Sequence, residues 1–304
     1  MDLYLGLTLF SFALTAAAVV PFINVFYFWT EERSKPEGGG ILVVIVTTII
    51  FLAVIPLISR LGIVVVSLFN FTQELHLILL AFLGFGILGF IDDYCLLKFN
   101  KYVVSYRWWW MTILAVLIAA ILKINLGISI LNIPFWGVLN LGWGYVPLTA
   151  SLILLFIYGF QKADDVDGLP LGGLMVSLVV FWFLSQAALD SILTMFLAIW
   201  LGSVVAFLYF NVSPSRIRLG RSGELAFGAA LAVVGLLLGK PIALLIIGGV
   251  FIVEAFGGVL FKYFGISSLQ KYLKARGWTD AKIMMRGWLV SLLLAIFGLW
   301  LATL

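Results

Sequence analysis

The chain has 304 residues, of which 64% are hydrophobic and 11% charged, with a formal net charge of +4. So few polar side chains cannot cover a soluble globule of this length, which excludes a water-soluble domain and makes the bilayer the solvent. The basic balance therefore bears on orientation in the membrane and not on nucleic acid, and no nucleic-acid partner is expected.

A span needs about 20 apolar residues at about 1.5 Å rise each. Such runs are read at about 3–29, 40–59, 75–91, 108–124, 146–160, 170–188, 190–210, 224–239, 241–263 and 285–303. The predicted fold class is all-α, a polytopic membrane protein with about ten transmembrane helices in one domain over 1–304. The first run has only Asp2 before it and no small-residue cleavage site, so it is expected to stay as a helix and not be removed as a signal peptide. The stretch from Ile128 to Tyr145, with Pro134, Gly137, Gly142 and Gly144, reads as a small interfacial hairpin or loop. The single cysteine, Cys95, excludes an internal disulfide.

If the N-terminus lies outside, the ten runs place fifteen of the eighteen Lys and Arg residues in or beside cytoplasmic loops. Only Arg60, Lys123 and Lys240 lie opposite. This positive-inside pattern puts both termini outside the cytoplasm and any chemistry at the inner face of the cytoplasmic membrane.

Four stretches on that face stand out, in chain order. Pro36-Glu-Gly-Gly-Gly40 opens the second span, where Gly39 and Gly40 either cradle a phosphate or permit close helix packing. Gly89-Phe-Ile-Asp-Asp-Tyr94 ends an apolar helix with Asp92 and Asp93. Gln161-Lys-Ala-Asp-Asp-Val-Asp-Gly168 adds Asp164, Asp165 and Asp167, so five of the fourteen acids fall in two short stretches. Carboxylates at membrane depth cost about 2.5–3.5 kcal/mol each on insertion scales, and like charges raise one another's pKa. A positive partner is required, and a hard cation such as Mg²⁺ shared with substrate phosphate oxygens is one solution. The plainer alternative is that these acids cap helix ends and face water. The fourth stretch, 210–225, joins two spans and carries Asn211, Pro214, Gly220, Gly223 and Glu224. Its Arg216, Arg218 and Arg221 either bind phosphates or only add to the positive-inside charge.

Taken in order, these segments resemble the polyprenyl-phosphate N-acetylhexosamine-1-phosphate transferase superfamily, and most closely its phospho-MurNAc-pentapeptide translocase branch. Gly89-Phe-Ile-Asp-Asp-Tyr94 resembles the family's aspartate pair, and Asp164-Asp-Val-Asp-Gly-Leu169 its Asp-Gly-x-Asp-Gly-Leu loop. Asn211 with Pro214, ahead of Gly220 and Gly223, resembles the Asn-x-x-Pro approach to Met-Gly-Asp-x-Gly-Ser. Lys274-Ala-Arg-Gly-Trp278 and the segment after it resemble the closing segments of the translocase branch. The resemblance implies Mg²⁺-dependent transfer of a phospho-sugar from a UDP-sugar to undecaprenyl phosphate with release of UMP, the step that forms the cell-wall intermediate lipid I. It implies that Asp92 and Asp93 position or activate the acceptor phosphate and share the metal, that Asp164 and Asp167 organise donor and metal, and that Asn211 contacts the nucleotide-phosphate region. Members of the branch often form dimers, so a homodimer is a further implication.

The pattern departs from the family at several of these positions. Arg221 stands at the aspartate of Met-Gly-Asp, a change of two charge units at an expected metal ligand. Arg218 replaces the phenylalanine expected to stack on uracil, and stacks as a planar cation instead. Where the family has a histidine-rich loop this chain has Leu269-Gln-Lys-Tyr-Leu273, and its only histidine is His76. Gln161 stands for an asparagine, Lys98 is displaced from the usual lysine position, and the loop after the ninth run is short. Three readings follow. In the first the chain is a divergent transferase in which Glu224 or Asp165 supplies the missing ligand and Lys271 or Arg276 takes over from the histidines. In the second it is a degenerate paralogue that binds polyprenyl phosphate or a partner protein without chemistry, with Arg221 standing in for the metal. In the third, resting only on acids near the membrane, it is a transporter.

Overall fold

The computed structural model describes residues 2–29, 38–60, 65–69, 71–99, 104–133, 137–263 and 269–303. Two helices come first, α1 (Asp2–Trp29) and α2 (Gly40–Arg60). The third run is α3 (Phe71–Leu79), a π-helical turn over Leu80–Gly84, and α4 (Phe85–Phe99), followed by α5 (Val104–Ile124). Strands β1 (Ile130–Ile133) and β2 (Gly137–Asn140) pair antiparallel, with Ile130 opposite Asn140 and Ile133 opposite Gly137, so the expected hairpin forms. Next come α6 (Tyr145–Ala163), α7 (Leu169–Ala187), α8 (Ser191–Asn211) and α9 (Gly220–Leu237). The chain ends with α10 (Pro241–Ile247), α11 (Gly249–Tyr263), α12 (Leu269–Ala275) and α13 (Asp280–Thr303).

Among the described residues, nine helical segments are long and apolar enough to cross a membrane, and they match nine of the ten predicted runs. The exception is 241–263, which is divided between α10 and α11. Gly248 sits at the break, where a Cβ would lie 2.3 Å from the Phe156 ring. Beyond it α10 packs on α13 while α11 packs on α6, so the two halves serve different neighbours. The sequence shows only a continuous apolar run there, and the close approach of the Phe156 ring leaves room only for glycine at the break.

The apolar distribution is that of a protein solvated by lipid. Central α8 and α9 are buried almost throughout, whereas Leu9 on α1 and Leu293 on α13 are 69% and 68% exposed. Large exposed apolar faces of this extent are stable only against acyl chains. Inside, Phe51, Phe82, Phe196, Trp200 and Phe227 form one aromatic cluster, with Phe82 edge-on to Phe196 at a centroid distance of 5.3 Å. Small and polar residues let helices approach where dispersion replaces the hydrophobic effect. On α1 and α8, Ser11 Oγ donates to the Ile199 carbonyl at 2.6 Å and lies 2.6 Å from Ser203 Oγ, and a Cβ on Gly202 would meet the Thr8 carbonyl at 2.2 Å.

Candidate active site

The ends of α4, α6 and α8 meet the starts of α2, α5, α7 and α9 at one end of the bundle, and nearly every polar side chain singled out in the sequence lies there. Gly89 makes the meeting of α4 and α9 possible: a Cβ on it would stand 2.3 Å from the Arg221 carbonyl. One turn later on the same helix face, Asp93 reaches the exposed start of α9. Its Oδ1 accepts from the Arg221 N–H at 2.9 Å and its Oδ2 from the Ser222 N–H at 3.0 Å. A carboxylate thus satisfies two of the orphan donors of α9 and meets the positive end of its dipole.

The start of α2 docks in the same place. Gly39 N–H donates to the Arg218 carbonyl at 3.0 Å and Gly40 N–H to the Leu219 carbonyl at 2.7 Å. Gly220 has a φ of +74° and would, with a side chain, strike Gly38 N at 2.3 Å. The glycine triplet therefore serves close packing. Gly39 and Gly40, expected as substrate-binding residues, have spent their N–H groups on protein carbonyls and leave no phosphate cradle. Pro36 and Glu37 lie outside the described residues.

The remaining acids are matched with positive or donor groups. Asp92 Oδ2 is 3.2 Å from Arg107 Nη1, and Glu224 Oε2 is 3.0 Å from Arg221 Nη1. Asp167 Oδ2 accepts from Ser215 Oγ at 2.7 Å. Asp164 is buried at the end of α6, and its carboxyl is held well above the ordinary aspartate range. Burial is the main cause, reinforced by the charges of Glu224 and Asp167 and opposed by Arg218 and Arg221. Arg221 therefore points into the acid cluster, where its charge also reaches Asp92 and Asp93.

Several expected roles change with this geometry. Asn211 is fully buried, accepts from the Gly168 N–H at 3.0 Å and donates to the Ile217 carbonyl at 2.9 Å. One bond from each end of its amide goes to backbone, so it braces the Asp-Gly turn against the α8–α9 loop. Asp165 is exposed, with its charge felt by Glu254 of α11, and does not join Asp164 and Asp167. Lys271 and Arg276 are exposed on and just after α12, with the Arg276 guanidinium 4.7 Å from the centroid of the Tyr272 ring. Lys98 lies outside the residues whose side chains are described.

The five carboxylates Asp92, Asp93, Asp164, Asp165 and Glu224 were expected to share a divalent cation. Among the described residues, no three His, Cys, Asp or Glu side chains are grouped so as to hold one. The chemistry of the donor set agrees: Asp93 has both oxygens on N–H groups, and Asp92 and Glu224 each face a guanidinium. A small hard cation at about 2.1 Å still needs one or two carboxylates with free oxygens beside water and substrate phosphate. With Asp92, Asp93 and Glu224 committed to protein donors, the set does not fit Mg²⁺.

Other members of the site lie in stretches that the sequence marks but are not individually singled out there. Arg107 is one of fifteen cations that the sequence pattern assigns to the inner face, and nothing in that pattern marks it as the partner of Asp92. Ser215 is one small residue in a polar loop. Gln270, fully buried, donates from Nε2 to the Lys162 and Ala163 carbonyls at 3.1 Å each and so ties α12 to the end of α6. Trp288 Nε1 donates to the Gly168 carbonyl at 3.1 Å, bracing the Asp-Gly turn from α13.

Comparison with known proteins gives two kinds of match. Residues 75–239, just over half of the chain, match the model of glycosyl transferase family 4. A phospho-N-acetylmuramoyl-pentapeptide-transferase of Halalkalibacterium halodurans is 31% identical over 268 residues, covering 81% of each chain. The protein of that name from Bacillus pumilus is 30% identical over 253 residues, 79% of this chain and 78% of the relative. The one from Acetivibrio thermocellus is 30% identical over 233 residues, 71% of this chain and 70% of the relative.

Proposed function

The chain belongs to glycosyl transferase family 4 and is a multi-pass protein of the cytoplasmic membrane, and from that premise we propose that it transfers a phospho-N-acetylhexosamine from a UDP-sugar to undecaprenyl phosphate. The favoured donor is UDP-MurNAc-pentapeptide, because the similar proteins are named phospho-N-acetylmuramoyl-pentapeptide-transferases. The observation that carries the reading is the convergence of Asp92, Asp164, Asp167, Arg107, Arg218 and Arg221 from separate helices and loops at one end of an otherwise apolar bundle.

In this reading the prenyl chain lies against the apolar helices and its phosphate reaches the polar cluster. An oxygen of that phosphate bonds to the sugar-linked phosphorus of the donor, and the bond from that phosphorus to the bridging oxygen breaks as UMP leaves. The protein's work is to orient the two phosphates in line and to balance their charge. Arg218 and Arg221 supply fixed positive charge beside the reacting oxygens. Asp164, whose carboxyl burial pushes above the ordinary aspartate range, helps to place the phosphate oxygens beside Arg218 and Arg221. Asp93 and Asn211 act at one remove, by holding the start of α9 and the Asp-Gly turn.

The test is purified protein in bilayers with undecaprenyl phosphate, Mg²⁺ and labelled UDP-MurNAc-pentapeptide or UDP-GlcNAc. A lipid-linked product and UMP are expected with one donor, and no product with either sinks the reading. A second reading, carrier-lipid binding without chemistry, is favoured by the Arg221–Glu224 ion pair, which places a protein cation among the acids. Retained binding of undecaprenyl phosphate in a preparation that makes no product supports it.

A further inference from the structure

Every carboxylate that faces the site's interior from α4 or α9 already has a protein partner. Asp93 is bound by two N–H groups of α9, Asp92 by Arg107 and Glu224 by Arg221. Asp164, buried just after α6, feels Arg218 and Arg221 together. A divalent cation placed among these groups would meet the Arg221 guanidinium, which sits 3.0 Å from Glu224 Oε2. Like charges at that range repel strongly in a partly desolvated site. Arginine also differs from a metal ion in kind: its planar fork offers five N–H donors, so a guanidinium that holds one carboxylate oxygen still has donor geometry suited to a phosphate.

We infer that Arg221 is the site's resident cation, and that phosphate groups are bound here by guanidinium without a divalent metal. The inference deepens the proposed reading and rests on it for the identity of the ligand, a phosphate monoester on a lipid or the pyrophosphate of a donor. It makes the Arg221–Glu224 pair a hinge of specificity. Glu224 orients the guanidinium from three residues further along α9, and the Asp93 cap sets the start of that helix, so the Arg221 side chain is aimed by the same backbone that α4 holds. The site then selects for phosphate charge and geometry, and is indifferent to chelators.

The experiment uses the intact chain in nanodiscs, with Mn²⁺ as an electron paramagnetic resonance probe and undecaprenyl phosphate as ligand. Expected results are a free-Mn²⁺ signal undiminished by stoichiometric protein, and an affinity for undecaprenyl phosphate that agrees within twofold between EDTA and Mg²⁺. Arg221→Gln is expected to weaken that affinity at least tenfold while leaving the affinity for neutral undecaprenol unchanged. One Mn²⁺ held per wild-type chain, or loss of undecaprenyl phosphate binding in EDTA, overturns the inference. The Mn²⁺ measurement is made on wild-type protein, so it decides the cation question whether or not the variant folds. If undecaprenyl phosphate and UDP-sugars both fail to bind under any condition, the proposed function falls, and the Mn²⁺ result still stands apart from it.

Discussion

Two buried acidic regions sit at opposite ends of the bundle, and they handle negative charge differently. At the α3 and α7–α8 end, Glu74 Oε1 accepts from the Phe69 N–H at 2.9 Å and Asp190 Oδ1 from the Leu193 N–H at 3.0 Å. Both carboxylates are nearly inaccessible and are held by backbone. Asp190 is the N-cap of α8, and burial pushes its carboxyl up. At the other end, acids from α4, the α6–α7 turn and α9 are interleaved with Arg107, Arg218 and Arg221. The first arrangement terminates helices. The second keeps charge of both signs in one partly buried place, which helix termination does not require. Asp93 joins the two kinds, since it caps α9 as Asp190 caps α8 but does so from another helix.

That contrast can be broken most forcefully at Arg221. Removing one partner of a buried pair leaves the other charge unbalanced, at about 3–5 kcal/mol, and the partial exposure of Arg221 lowers the expected cost of Arg221→Gln to about 2–3 kcal/mol. Denaturation in mixed micelles measures it. Asp93→Ala removes two charge-assisted bonds from the start of α9 and is expected to cost about 2 kcal/mol in the same assay.

Asp164 sharpens the contrast through pH. Its folded pKa lies above its unfolded one, so the folded state binds the proton more tightly. The contribution to stability is full below the ordinary aspartate pKa of about 3.9, declines as pH rises above it, and is flat once the folded carboxyl has ionised. Asp164→Asn is therefore expected to be more stable than wild type at neutral pH, by about 1 kcal/mol, with the difference vanishing in acid. Thermal melts from pH 4 to 8 read this directly. The smallest effect belongs to the opposite end: Asp190→Asn keeps a competent N-cap and should change stability by less than about 0.5 kcal/mol.

Much of the fold is written in local pattern. Nine runs of apolar residues become membrane-length helices because only an intrahelical ladder satisfies the backbone in lipid, and Gly137 and its neighbours mark the hairpin. The acids and arginines were also visible as types. Their roles were not, because each role depends on a partner far away in the chain. Asp93 becomes a helix cap only because Gly89 lets α9 approach, 128 residues separating its carboxylate from the Arg221 N–H. Asn211 resembles a ligand contact in sequence and is a brace in space, since Gly168 and Ile217 take both ends of its amide. Gly248 breaks an apolar run that periodicity cannot distinguish from a continuous span.

Arg221 and Glu224 act as a pair inside the acid cluster. A double-mutant cycle with Arg221→Gln, Glu224→Gln and the combined variant measures that pairing directly, by unfolding in mixed micelles at neutral pH. The predicted coupling is about 1–3 kcal/mol, with the double variant more stable than Arg221→Gln alone. Effects that simply add, with no coupling, would contradict it.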